Sequence, residues 1–409
     1  MSHHARQQHG QSRKNRASSQ VEIAAEIPRR GIKRKILLIT RNLPPLIGGM
    51  ERLNWHMADE LSRDAEVCVI GPLGSAALAP AGVRVVEIPL RPLWRFLAHS
   101  LWHGVREARR WQPDLVLAGS GLTALPAWIS AKLSAVRCAT YAHGLDIAVR
   151  HPLYRALWLP ALRRMDRVIV NSRSTSSLAK AAGVQPKSIG IVYPGVEVPK
   201  TLPDAQAVSR FRAEYDLGER PVLLSVGRLT ARKGISEFVT HALPRIVETR
   251  PDALLLIVGD APADALRADA QSPASIRDAA ERVGMGDRLR FFGTVTDYAK
   301  LGTIYRSADV HVFPVRELSG DPEGFGMVAV EAAVHGLPSV AFATGGVADA
   351  VADGSSGRLI APGDYTGFAQ AVLDVLASAA RWENACRKFG ERFAWPTFGR
   401  ALRSNLGPI

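Results

Sequence analysis

Residues 221–238 read PVLLSVGRLTARKGISEF. A short apolar run rich in branched side chains ends in Gly-Arg, and a basic turn leads into a helix beginning near Gly234. A strand buried on both faces reads this way, and the turn after it opens a crossover helix. The stretch decides the fold because it is a second beginning. Upstream, KILLIT (35–40), EVCVIG (66–71), VRVVEIPL (83–90), DLVLAGS (114–120), RCATYAHG (137–144) and RVIVNS (167–172) alternate with longer amphipathic segments. After EVPKTLPDAQAVS (197–209) the alternation restarts and runs on through ALLLIVGD (253–260), LRFFGTV (289–295), VHVFPV (310–315) and SVAFATGG (339–346). The chain therefore reads as α/β, with two doubly wound domains joined near residues 196–215. They are expected over 35–196 and 215–385, with 386–409 forming a helix that crosses back to the first. Such sheets bind ligands at the carboxyl ends of their strands, so the cleft between two facing domains is the expected site.

Bulk composition agrees. A chain of 409 residues is too long for one ordinary core. Its 47% hydrophobic and 22% charged residues are those of a globular protein. No apolar run approaches the roughly 20 residues that cross a bilayer. The opening MSHHARQQHGQSRKNR has no apolar core of the signal-peptide kind. Cys68, Cys138 and Cys386 lie far apart, which suits a reducing compartment and offers no metal site. A cytoplasmic protein is expected. Of the net charge of +14, half lies in residues 1–35, where nine Lys/Arg face Glu22 and Glu26. Residues 1–34 read as a basic disordered tail. Charge alone leaves nucleic acid, anionic lipid and phosphorylated ligands open.

Three turns have phosphate-binding character. In the opening stretch, Arg228 leaves the strand's carboxyl end and Lys233 follows five residues later; together they can grip a diphosphate or simply form a solvated basic turn. In DPEGFGMVAVEAAVHG (321–336), Gly324 and Gly326 allow close backbone approach, and the following helix start favours an anion. Glu331, expected about two turns into that helix, can accept both hydroxyls of a ribose, and Glu323 can touch a sugar beyond the phosphates. Read alone, the pair is equally a capping acid and a surface acid. In LPPLIGGMERL (43–53), Gly48 and Gly49 form either a phosphate-facing loop or a plain strand-to-helix turn. No GxGxxG occurs in either half's first turn, which counts against a nicotinamide or flavin enzyme.

Taken together, GGMERL (48–53), AHGLD (142–146), NSRSTSSLAKAAGV (171–184), VYPGVE (192–197), VGRLTARKG (226–234), FFGTV (291–295), EGFGMVAVEA (323–332), GLPSVAFATGG (336–346) and GRLIAPGD (357–364) resemble the retaining glycosyltransferases of family 4. That family has the two-domain GT-B fold, and the likeness runs from about Lys35 to the C-terminus. The resemblance implies that Arg228 and Lys233 bind the donor diphosphate and that Glu323 contacts the donor sugar. It implies that main-chain N–H groups from Phe325 through Gly326 and Met327 to Val328 meet sugar and phosphate, that Glu331 takes the ribose, and that Val295 lies against the base. Gly48 and Gly49 approach the β-phosphate, and His143 lies near the donor sugar. Arg228, Lys233, Glu323 and His143 become the candidate catalytic residues. The family works without a bound metal, so neither metal nor cofactor is expected. Two departures stand out: Tyr193-Pro194-Gly195 lacks the usual Asn, and Asp349 is shifted from the usual acid after the second Gly-Gly. Both are expected to change local contacts while leaving the donor site.

Two carboxylates near an anomeric carbon also suggest double displacement; with Glu331 on the ribose, same-face attack by the acceptor is expected instead. In PLRPLWRFLAHSLWHGVREARRWQ (89–112), Leu93, Leu97, Leu101, Val105 and Ala108 make one helical stripe and Arg95, His99, His103, Arg106 and Arg110 another, with Trp94, Trp102 and Trp111 nearby. This helix either packs on its sheet with a basic outer face or lies on an anionic membrane. PLYRALWLPALRRMDR (152–167) repeats the theme, which points to a lipid-linked or other saccharide acceptor and a peripheral place on the inner membrane face. The donor reads as a GDP or UDP sugar, the wording around 316–328 leaning to GDP-mannose. A nucleic-acid-binding protein is the rival, but the tail lacks aromatic residues to stack bases. An epimerase or phosphorylase of the same fold is the other, and no lysine suggests itself for pyridoxal phosphate.

Overall fold

The computed structural model describes residues 33–261, 270–378 and 381–407; the tail expected over 1–34 lies, but for its last two residues, outside them. Two parallel sheets organise the rest. The first holds β1 (Arg34–Ile39), β2 (Ala65–Pro72), β3 (Arg84–Ile88), β4 (Leu115–Ala118), β5 (Arg137–Ala142), β6 (Arg167–Val170) and β7 (Ile189–Ile191), in the order β3-β2-β1-β4-β5-β6-β7. The second holds β8 (Val222–Val226), β9 (Leu254–Val258), β10 (Leu289–Gly293), β11 (Val310–Phe313), β12 (Ser339–Phe342) and β13 (Gly357–Ile360), in the order β10-β9-β8-β11-β12-β13.

The continuous apolar runs follow from burial on both faces. Along β1, Leu37 and Ile39 enter one core while Ile36 and Leu38 enter the core on the opposite face. In the second sheet Leu255 and Ile257 of β9 face one way, and Leu254 and Leu256 the other. Each sheet reverses its winding beside its first strand: β1 pairs with β2 and β4, and β8 pairs with β9 and β11. The crevice of a doubly wound sheet lies at that reversal. It is here that the glycine loop after β1 and the basic turn after β8 emerge.

The strands β7 and β13 are additional to those read from the sequence. IGI is three residues long with a central glycine, and GRLI is only partly buried at the sheet edge. Neither carries the apolar run by which buried strands are recognised. A second correction concerns the helix Leu93–Trp111. Its buried residues are Phe96, Ser100, Gly104 and Ala108, so the packed stripe is rotated from the leucine stripe expected. Small residues let this helix approach closely: a Cβ on Gly104 would stand 2.4 Å from Ser130 Oγ of the neighbouring helix Ala124–Lys132. The rotation leaves Trp94 and Trp102 68% and 58% exposed.

The last helix, Trp395–Leu406, packs against helix Gly49–Ser62 and buries Trp395, Phe398, Leu402 and Leu406 in the first sheet's core. Trp395 stacks on His56 at 3.9 Å, and Val196 donates to the Phe393 carbonyl at 2.8 Å where the chain crosses over.

Candidate active site

The turn after β8 is held against the end of β11. Gly234 adopts φ +69°, and a Cβ there would meet the Pro314 carbonyl at 2.2 Å, so only glycine closes the turn. Closure carries Lys233 over the Phe313 ring and brings its Nζ to within 2.9 Å of Glu323 Oε2. Arg232, which the sequence reading passed over, donates to the same oxygen at 2.7 Å and pairs with Asp321 at 3.3 Å. Glu323 is 8% exposed. Burial alone would raise its carboxyl, but Arg232 and Lys233 outweigh it and hold it at about 2. Arg228 is exposed and, among the described residues, has no ion-pair or hydrogen-bond partner.

The segment after Glu323 is shaped by glycines. Gly326, at φ +96°, turns the chain into helix Met327–Val334. The Gly345-Gly346 loop backs it: Gly346 donates to the Glu323 carbonyl at 2.9 Å, and its Cα faces the Gly324 carbonyl. Phe325 is buried. The first-turn N–H groups of the helix, at Met327 and Val328, have no side-chain cap and no intrahelical acceptor. Glu331 is the fifth residue of this helix, one turn in rather than the two expected, because residues 324–326 form a loop and not helix.

Both Glu331 oxygens are engaged. Arg52, from the helix behind the first-domain glycine loop, pairs with Oε1, and Tyr305 donates to Oε2 at 3.1 Å. Val295 and Val328 are both partly buried against the same apolar cluster. From the opposite side, Gly49 lies with its Cα toward Met327 Sδ, 3.6 Å from where a Cβ would stand. Gly48 precedes the helix in extended backbone, and Glu51 reaches back past it to accept from Asn42 at 2.6 Å. His143 is buried; its ring Nε2 donates to the Gly119 carbonyl at 2.9 Å, and its own carbonyl presses on Gly324, where a Cβ would come within 2.5 Å.

Arg228, Lys233 and Glu323 thus share one wall, Gly324, Phe325, Gly326, Met327, Val328 and Glu331 continue it, and Gly48, Gly49 and His143 face it. Asp349 stands apart: its carboxylate accepts from the Arg173 backbone at 2.7 Å, pairs with that arginine's side chain and takes Tyr193 Oη at 3.4 Å. It ties the two domains together beside the site. Arg52 and Tyr305 were also missed. Arg52 carried a signal, being in GGMERL next to the glycine loop; Tyr305 carried none, as it meets Glu331 only through the packing of helix Tyr298–Arg306.

Two family models match the chain: "Glycosyltransferase Family 4" over residues 47–199 and "Glycosyl transferases group 1" over residues 220–378. A GDP-mannose-dependent alpha-(1-6)-phosphatidylinositol monomannoside mannosyltransferase of Mycolicibacterium smegmatis is 30% identical over 402 residues, covering 91% of this chain and 98% of that one. A D-inositol 3-phosphate glycosyltransferase of Catenulispora acidiphila is 33% identical over 240 residues, 56% of this chain and 53% of that one. Among solved structures, Anabaena HepE in complex with UDP superposes with a TM-score of 0.76 at 20% identity, covering 92% of this chain and all of that one. Sucrose-phosphate synthase from Thermosynechococcus elongatus gives 0.73 at 22% identity, covering 90% and 97%. The fold is GT-B.

Proposed function

We propose, from the premise that this chain belongs to the family 4 glycosyltransferases and is a glycosyltransferase, that it moves mannose from GDP-mannose to a lipid-linked acceptor with retention at the anomeric carbon. One observation carries the reading: Arg228, Lys233, Glu323 and Glu331 line one cleft wall around a helix start. Arg228 and Lys233 would take the diphosphate and stabilise the charge that grows on it as the sugar leaves. The helix start at Met327 adds a dipole of the same sense. These cations supply the positive charge that leaving-group departure needs, so no metal is invoked. Glu331 would receive the ribose hydroxyls, Glu323 the sugar hydroxyls, and the acceptor hydroxyl would attack from the face the diphosphate leaves. Val295 would lie against the base, Gly48 and Gly49 would close on the β-phosphate, and His143 would border the sugar. The preference for GDP-mannose rests on the near full-length mycobacterial relative.

Calorimetric titration with GDP, UDP and ADP tests this, repeated on Arg228→Ala and Glu331→Gln. GDP should bind best, and each variant should weaken it by about tenfold or more. Preference for UDP would reassign the donor, and no binding by any of the three would overturn the reading.

The acceptor and membrane side rests on the outer face of the first domain. Trp94, Trp102, Leu153 and Leu157 are exposed there, among Arg95, Arg106, Arg109 and Arg110, and Arg106 lies over the Trp102 ring. No helix among the described residues is long and apolar enough to cross a membrane. Exposed Trp and Leu among arginines suit attachment to an anionic cytoplasmic leaflet. Reversing Arg95, Arg106 and Arg110 to Glu should abolish sedimentation with anionic liposomes; undiminished binding would remove the membrane from the proposal.

A further inference from the structure

The charges in the cleft present a partition problem. Three cations, Arg228, Arg232 and Lys233, stand around two carboxylates, Asp321 and Glu323. A diphosphate entering this cluster competes with the carboxylates for the cations. If all of them turned to phosphate, Glu323 would be left as a buried, unpaired anion beside another anion, which is strongly unfavourable. At least one cation must stay. The three differ in how easily they can leave. Arg228 is exposed and already without a partner among the described residues. Lys233 holds Glu323 through a single bond from a flexible stem. Arg232 is tied down on both sides: its guanidinium pairs with Asp321 at 3.3 Å, donates to the Pro322 carbonyl at 3.4 Å and to Glu323 Oε2 at 2.7 Å, and its side chain is only 13% exposed.

We infer that Arg232 is a positioning residue: anchored by Asp321, it keeps the Glu323 carboxylate ionised and aimed into the cleft after Lys233 has transferred to the diphosphate. Glu323 Oε2 takes both cations, while Oε1 has no hydrogen-bond partner among the described residues and is the oxygen left for a sugar hydroxyl. Arg232 acts through Glu323 and touches neither phosphate nor sugar. The charged groups around Glu323 are Arg232 and Lys233 from the turn, Arg228 from the strand end and Asp321 through Arg232; across the cleft the His143 ring is turned to the Gly119 carbonyl. The inference rests on the donor reading above and separates the sugar's share of binding from the nucleotide's.

Binding of GDP and of GDP-mannose is compared in wild type, Arg232→Met and Arg232→Lys, from pH 4 to 8, with UDP and UDP-glucose substituted if the wild type prefers uridine. Wild type should bind the sugar nucleotide better than the diphosphate. Arg232→Met should leave GDP within about twofold yet weaken GDP-mannose by about tenfold or more, because only the sugar meets Glu323. Its GDP-mannose binding should also lose more than wild type's between pH 8 and pH 4, because Glu323 has lost a neighbouring positive charge and its carboxyl rises. Arg232→Lys, which keeps the charge, should recover most of both. Equal weakening of GDP and GDP-mannose would make Arg232 a phosphate ligand and overturn the inference while leaving the donor reading intact. No change in either would also overturn it. Failure of the wild type to bind any nucleotide would overturn the donor reading and this inference with it.

Discussion

Removing Arg52 should tighten nucleotide binding, although the residue lies in the site. In the free protein Arg52 crosses the cleft to Glu331, the carboxylate proposed for the ribose, whose second oxygen is taken by Tyr305. The ribose hydroxyls therefore exchange with an existing ion pair. Arg52 is 22% exposed and Glu331 10%. The pair falls between a solvent-screened surface contact and a shielded charge-assisted bond, and after discounting for screening it is worth about 1 kcal/mol. Arg52→Met keeps the apolar stem beside Tyr298 and removes the charge. Glu331 is then under-paired in the free protein and satisfied only when hydroxyls arrive. GDP affinity should rise about fivefold, the equivalent of ~1 kcal/mol. Calorimetric titration of GDP into both proteins reads this directly, and the free variant should melt slightly lower for want of an interdomain tie. Unchanged or weaker binding would rule this out, because it would mean that Arg52 does not oppose the ribose or itself holds the donor.

Three further outcomes follow from packing and burial. Gly346→Ala would set a Cβ 2.0 Å from the Gly324 carbonyl and 2.7 Å from the Phe325 Cα. Backbone cannot rotate away, so a loss of about 3 kcal/mol is expected in chemical denaturation together with weaker GDP binding. Leu402→Ala, in the returning helix, should cost about 3 kcal/mol by leaving a hole in the first sheet's core, and a loss under about 1 kcal/mol would show that the helix is not integral to it. His311 is held at about 3 by burial and by nearby Lys233, against an ordinary 6.5, with its Nδ1 bonded to Ser339. The unfolded chain takes up this proton first, so its contribution is complete above pH 6.5 and declines as pH falls from 6.5 toward 3, by about 1.4 kcal/mol per pH unit near the middle. Urea midpoints at pH 7, 6 and 5 check the sign, and His311→Gln should flatten the trend.

The central strands of both sheets were legible because burial on two faces writes itself as an unbroken apolar run: KILLIT and PVLLSVG need no partner to be recognised. The edge strands β7 and β13 were not, since IGI and GRLI are short and half-exposed and take their conformation from the strand beside them. The helix Leu93–Trp111 shows the same limit in another form. Its leucine periodicity was plain, but the packed face was chosen by Ser100 and Gly104, whose smallness matters only once the helix Ala124–Lys132 stands against them.

The candidate site divides along the same line. The order of glycine turns and charges could be read along the chain, because close backbone approach demands glycine and a diphosphate demands fixed cations wherever the partner elements lie. Family membership was readable from that order, and with it the GT-B architecture. How those charges pair was set by the packing of the two sheets. Arg232 and Lys233 on Glu323, Arg52 and Tyr305 on Glu331, and Arg173 on Asp349 are contacts between residues 91, 90, 279, 26 and 176 positions apart. No local pattern encodes such partners, since a charged side chain is compatible with any opposite charge the fold brings within reach. The sheets choose among them by where their carboxyl ends meet.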